Sequence, residues 1–273
     1  LLGETLGILE RLGFDETRRE APGRGHLLVE AWRRAYADRF LLGDPATTRA
    51  DPAALLDPRR LDRLAASVPW DRASVSADAE PGAFLSLPEP AETTHLSVVD
   101  GAGDAVAMTV TLNGSYGCGL LVPEVGFLLN NEMDDFAIAP GRPNLYGLVQ
   151  GEANAVGAGK RMLSSMAPTI AWRGRDVLVL GSPGGSRIPT ATAQVLLNAV
   201  VDGHALAAAV ERPRIHHQWL PDEIAAEPAY PAAARRALEA MGHRLVEAEK
   251  IGEVHAVRRR PDGAIEATGD PRG

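Results

Sequence analysis

A loose, proline-rich segment over residues 81–90 runs into Glu92-Thr93-Thr94-His95-Leu96-Ser97-Val98-Val99-Asp100. From there to the C-terminus the chain reads as short apolar runs broken by glycine turns, whereas the part before it reads as helical. Two hydroxyls stand where a core strand begins to pack. In one reading, Thr93 and Thr94 are β-formers that open an ordinary strand. In the other, the Glu92–Thr93 bond is cut. The freed α-amine of Thr93, with a pKa near ~8, can then take the proton of its own hydroxyl and make it a nucleophile.

The first part predicts a short helix over residues 5–12 closed by Gly13, a loop over 15–25, and a helix over 26–40 with Leu28, Trp32, Ala35 and Tyr36 at helical spacing. Residues 51–67 give two helical pieces divided by Pro58, and residues 70–91 make the best boundary in the chain. After Thr93, residues 95–100 and 105–112 read as a hairpin around Gly101-Ala102-Gly103, the former as a buried strand. Residues 126–130 predict another buried strand. It delivers the polar turn Asn131-Glu132-Met133-Asp134-Asp135-Phe136. Residues 140–159, rich in glycine, suggest a lid or binding loop. Residues 166–172 and 176–180 form the next hairpin, and helices follow over 189–201, 204–211 and 231–241. Short strands are expected over 244–249, 253–259 and 264–268. Layered α+β architecture accommodates this order.

With 28 basic and 36 acidic residues the net charge is −8, which argues against a partner bound through phosphate neutralisation. Arg258-Arg259-Arg260 therefore reads as a solvated strand end. A lone cysteine, Cys118, excludes an intrachain disulfide and a multi-cysteine metal site, and reads as packing. His216-His217 lacks further ligands at metal spacing and reads as structural. The chain opens Leu1-Leu2-Gly3 without methionine, so a longer precursor is expected.

Gly181-Ser182-Pro183-Gly184-Gly185-Ser186-Arg187 joins a strand to a helix. Its glycines could turn two N–H groups into an oxyanion hole, make a tight turn, or hold a phosphate. The phosphate reading lacks the P-loop lysine. Leu163-Ser164-Ser165-Met166 places two hydroxyls between apolar residues. They would be buried, and would either cap backbone or hold a carboxylate. The acceptors from Asn130 to Asp135 suit a solvated turn, a cation or an ammonium, without calcium-loop spacing.

Taken together, Thr93-Thr94-His95-Leu96-Ser97-Val98-Val99-Asp100, Leu129-Asn130-Asn131-Glu132-Met133-Asp134-Asp135-Phe136, Leu163-Ser164-Ser165-Met166 with Pro168-Thr169, and residues 181–187 closely resemble the γ-glutamyltransferase (γ-glutamyltranspeptidase, glutathione hydrolase) family. Tyr36-Ala37-Asp38-Arg39, Leu42-Gly43-Asp44-Pro45 and His216-His217-Gln218-Trp219-Leu220-Pro221-Asp222 extend the likeness.

The resemblance implies a four-layer αββα sandwich of the N-terminal nucleophile hydrolase type, here without the N-terminal part of the large subunit. It implies self-cleavage between Glu92 and Thr93, residues 1–92 ending the large subunit and residues 93–273 forming the small catalytic one. Thr93 would attack the γ-glutamyl amide of glutathione or its conjugates. The resulting ester would pass to water or to an acceptor amino acid or peptide. By the same likeness Thr111 tunes the nucleophile and Gly184 and Gly185 form the oxyanion hole. Asn113, Glu132 and Asp135 hold the donor ammonium, and Ser164 and Ser165 its carboxylate. Tyr146 gates a lid over residues 140–151. No cofactor or metal is implied, no nucleic-acid partner, and a periplasmic or extracellular location is expected. An arginine that clamps the carboxylate in the family would lie upstream of this chain. A related acylase and a non-catalytic member of the fold are the alternatives.

Overall fold

The computed structural model describes residues 1–15, 23–48, 51–76 and 93–273. In chain order its elements begin with α1 (Leu2–Arg11), α2 (Arg24–Arg39) and α3 (Pro58–Ala66). There follow β1 (Thr93–Val99), β2 (Ala105–Thr111), β3 (Leu121–Val122), β4 (Phe127–Leu128), β5 (Thr169–Arg173) and β6 (Asp176–Gly181). The remainder comprises α4 (Ile188–Val200), α5 (Leu206–Glu211), β7 (Ile215–His216), β8 (Ile224–Ala226), α6 (Ala232–Ala240), β9 (Leu245–Glu247), β10 (His255–Arg259) and β11 (Ile265–Thr268). The chain divides into two compact units, each interleaved in sequence. The first holds Leu1–Pro88, Glu132–Ser164 and Ile215–Glu249; the second holds Glu89–Asn131, Ser165–Arg214 and Lys250–Gly273.

In the first unit, α2 carries the core, burying Leu27, Val29, Ala31, Trp32, Ala35 and Tyr36. Its predicted extent differs from the observed one by one or two residues at each end. Asp57 caps α3 through Oδ1, which accepts from Arg60 N at 3.0 Å, and Pro58 occupies the first helical position. A small sheet, ordered β7–β8–β9, has β8 parallel to β9 and antiparallel to β7. Buried charges stitch this unit together. Glu30 accepts from Arg34 at 2.6 Å and from Ser74 N at 3.0 Å, while Arg33 pairs with Asp222, whose other oxygen accepts from Ser76 N at 2.8 Å.

In the second unit a four-stranded antiparallel sheet runs β11–β10–β6–β5. Leu178, Val179 and Leu180 of β6 are all buried, and successive strand residues point to opposite faces, so both faces of this sheet are covered. The antiparallel hairpin β1–β2 packs against β5, β6 and β10, while α4 and α5 pack against β6, β10 and β11. The result is a hairpin, a sheet and a helical layer.

The alternation in β1 is inverted relative to an ordinary core strand. Thr93 and His95 are buried, whereas Leu96 and Val98 are exposed, as are Val106, Met108 and Val110 of β2. This corrects the expectation of an apolar, buried strand: the polar side faces the sheet. A second correction concerns residues 126–130, where only a two-residue strand forms and Phe127 is 54% exposed.

Arg258 and Arg259 are not a solvated strand end either. Arg258 grips Asp176 with two bonds of 2.9 and 2.6 Å, and buried Arg259 donates to Gly101 O at 2.9 and 3.2 Å. Cys118, expected to pack, is exposed.

Candidate active site

In the second unit, antiparallel register sets Thr93 opposite Thr111. Thr93 Oγ1 donates to Thr111 Oγ1 at 3.1 Å, and Thr111 Oγ1 also accepts from Asn113 N at 2.8 Å. An acceptor held in that way keeps the Thr93 hydroxyl in one orientation. Asn113 is buried and takes φ = 71°, a conformation asparagine tolerates better than most residues. Its Nδ2 donates to Asn131 O at 3.3 Å, and Asn131 Oδ1 accepts from Gly114 N at 2.7 Å. Thr93, Thr111 and Asn113 thus form one continuous hydrogen-bonded group. Glu92 lies outside the described residues.

The His95 ring lies beneath the same strand. Its Nδ1 is 2.8 Å from Thr109 Oγ1 and its Nε2 is 2.9 Å from Ser97 Oγ. Burial lowers its pKa to about 4, so the ring is neutral at ordinary pH. A Cβ on Gly181 would fall 2.3 Å from His95 Cε1, so any larger residue at the end of β6 would have to displace the ring. Three residues on, Gly184 (φ = 126°) and Gly185 (φ = 52°) take backbone that L side chains avoid. Gly185 opens a 3-10 turn (Gly185–Arg187) leading into α4. The turn is anchored by Arg187 Nη1 donating to Lys250 O at 2.8 Å and by Glu253 N donating to Ser182 Oγ at 2.8 Å. Ser165, also in this unit, is half-buried.

The remaining candidates belong to the first unit. Glu132 and Asp135 share a 3-10 turn. Burial and the neighbouring Glu132 push the Asp135 carboxyl up to about 7, against the pull of Arg39; burial also raises Glu132. Below the carboxyl, Asp135 O accepts from Gln150 Nε2 at 3.0 Å and Asn154 Nδ2 at 2.7 Å. Asp134 faces elsewhere, accepting from Leu145 N at 3.1 Å. Residues 140–151 fold back on themselves: Asn144 Oδ1 accepts from Tyr146 N and Leu148 N, and Tyr146 is buried. Ser164, expected to be a buried hydroxyl, is exposed.

His216 and His217 are occupied structurally. His217 Nδ1 accepts from Trp219 N at 3.2 Å, so its Nε2 donates to Asp222 at 3.2 Å, and His216 Nε2 meets Gln218 Oε1 at 2.8 Å. A grouping the sequence did not suggest is His26, Glu30 and His243, with potential ligand atoms within 4.8 Å of one another. Their hydrogen bonds account for it. A carbonyl can only accept, so His26 Nε2 donates to Pro69 O at 2.7 Å and Nδ1 accepts from His243 Nε2 at 2.8 Å. Glu30 is saturated by Arg34 and Ser74.

The family model for γ-glutamyltranspeptidase matches residues 1–273. The chain belongs to that family. It is 42% identical over 271 residues to the glutathione hydrolase proenzyme of Escherichia coli K12, covering 98% of this chain and 47% of that protein. With the glutathione hydrolase proenzyme of Pseudomonas aeruginosa it shares 44% over 282 residues, covering 100% and 49%. A γ-glutamyltranspeptidase structure from Helicobacter pylori superposes with a TM-score of 0.64 at 48% identity, over 66% of this chain and 100% of that one. The chain spans about half the length of the curated relatives it matches. The α+β fold of the N-terminal nucleophile hydrolase type follows from these likenesses. Among the described residues, no helix is long and apolar enough to cross a membrane.

Proposed function

We propose that this chain is the catalytic half of a self-cleaving γ-glutamyltransferase and glutathione hydrolase. The observation that carries the reading is the Thr93 hydroxyl held 3.1 Å from Thr111 at the start of β1, in a chain of this family. Thr93 Oγ attacks the carbonyl of Glu92, the backbone shifts from amide to ester, and water releases the two pieces, which stay together as a large and a small subunit. The new α-amine of Thr93 then accepts the proton of its own hydroxyl as Oγ attacks a γ-glutamyl carbonyl. Gly184 and Gly185 N–H groups stabilise the oxyanion. The amine leaves with the proton, and water or an amino-acid or peptide acceptor resolves the γ-glutamyl ester.

Donor recognition needs acceptors for an ammonium and donors for a carboxylate. Asn113, Glu132 and Asp135 are assigned to the first task, Ser164 and Ser165 to the second, and Tyr146 to gating. The reaction asks for no metal or organic cofactor. Export to the periplasm or the outside is part of the proposal.

The test is intact mass and turnover of a γ-glutamyl anilide by the full-length gene product. Parent protein should appear as two pieces split at 92/93, and Thr93→Val as one uncut, inactive chain. Undiminished turnover in Thr93→Val would sink the proposal. Glu132→Ala and Asp135→Ala separate it from the acylase reading, which relatives named acylase proenzymes at 35% identity keep in view. Those variants should lose γ-glutamyl turnover while sparing an acyl donor without an amine.

A further inference from the structure

We propose that Arg39 is the positioning residue that sets the spacing between the two sides of the donor pocket, the Asp135 acid and the Ser164 hydroxyl; the assignment rests on the pocket reading above. Arg39 ends α2 and is buried, 6% exposed. Its Nη1 donates to Gln150 Oε1 at 3.1 Å and its Nη2 to Leu163 O at 3.3 Å, one peptide before Ser164. Asn154 closes the circuit. Its Oδ1 accepts from Leu163 N at 3.1 Å, while its Nδ2 donates to Gln150 Oε1 at 2.6 Å and to Asp135 O at 2.7 Å. Gln150 Nε2 returns to Asp135 O at 3.0 Å. Leu163 is therefore held by its carbonyl from Arg39 and by its N–H from Asn154. Asp135 is held by two amides that both report to Arg39. Gln150 and Asn154 are buried, so these bonds escape competition from water.

The backbone is shaped to allow this. A Cβ at Gly151 would fall 2.4 Å from Phe40 O, and one at Gly43 only 2.0 Å from Ala153 O. Residues 150–154 can lie against the end of α2 only with glycine at both places. Asp44 accepts from Arg161 N at 2.7 Å and pins the approach to Leu163.

Charge adds a second role. A carboxylate that binds an ammonium must be ionised. Burial, Glu132 and Asp134 push Asp135 toward its neutral form, and Arg39 opposes them; Tyr36 and the α-amine of Leu1 also face Arg39. A flexible lysine could carry the charge but could not fork between Gln150 and Leu163.

The experiment uses the processed full-length gene product and a γ-glutamyl anilide donor, with free L-glutamate titrated calorimetrically as an independent readout. Arg39→Met should process, keep kcat within about threefold, and raise donor KM and the glutamate Kd by about tenfold or more. Its KM excess over the parent should be larger at pH 6.5 than at pH 8.5, because Asp135 loses the charge that favours ionisation. Arg39→Lys and Gln150→Leu should raise KM by about threefold without that pH dependence, and they decide the matter by the KM criterion alone should Arg39→Met fail to process. Parental KM and pH profile in the processed variants would overturn the assignment, as would a loss confined to kcat. If Asp135→Ala still destroys donor binding in that case, the pocket reading survives. If Asp135→Ala also leaves KM untouched, both fall.

Discussion

Asp270→Ala in the second unit should be among the most destabilising single changes available. Arg214 and Asp270 meet at 2.7 Å with side chains 1% and 0% exposed. Arg214 also donates to Val210 O at 2.6 Å and Ile251 O at 2.9 Å, so it cannot swing out to water without breaking them. Asp270 further accepts from Val254 N at 2.8 Å and from Arg272 at 2.9 Å. Truncating one partner of such a pair strands a buried charge at a cost of roughly 3–5 kcal/mol. The orphaned Val254 N–H adds to it, and Arg272, with 14% of its side chain exposed, relieves some of it. We expect about 4 kcal/mol, or a Tm fall of roughly 16 °C for a unit of this size. Chemical denaturation of the full-length gene product, with single variants Asp270→Ala and Arg214→Ala and the double variant, gives the coupling directly. It should be about 3 kcal/mol. Acid adds a check. Burial raises the Asp270 carboxyl, but Arg214 and Arg272 outweigh it and hold its pKa below the ordinary value. The associated stability is present above the unfolded pKa and lost as pH falls through the folded one, and Asp270→Ala should flatten that acid limb. Single costs below about 1 kcal/mol, or strict additivity, would refute the argument.

Gly181→Ala drives a methyl into the His95 ring. It should cost about 1–3 kcal/mol and reduce turnover per processed molecule well beyond the loss of folded protein. A variant with parental turnover would show that the ring does not hold β1 to the glycine turn. Burial and the adjacent His26 lower the His243 pKa to about 4. The unfolded chain thus binds a proton that the folded one refuses, and stability should drop as pH falls from about 6.5 toward 4. His95 acts in the same direction. Denaturation midpoints across that range should decline less steeply in His243→Gln.

What the sequence made legible was local. α2 and α4 announce themselves by apolar spacing, and the β5–β6 hairpin by Arg173-Gly174-Arg175 between two apolar runs. The order of motifs was enough to reveal the family. Less accessible was everything set by distant partners. β7 and β8 are two and three residues long and exist through pairing with each other and with β9, which leaves too little periodicity to read. β1 reads in sequence as an apolar run, and nothing local to it says that its polar side faces inward; His95 and Ser97 against the sheet decide it. His26 and His243 lie 217 residues apart, and Arg39 is separated from Leu163 by 124, so neither grouping leaves a trace in any short window.

Thr94 sits one slot from Thr93 on the outer side of the hairpin. The two are chemically the same alcohol, and only the pairing of Thr93 with Thr111 tells them apart. Slipping β1 by a single position along β2 would turn Thr94 inward and send Thr93 out to solvent. Identity at this position is therefore a matter of counting: the length of the ladder, more than the type of side chain, determines which threonine meets Thr111.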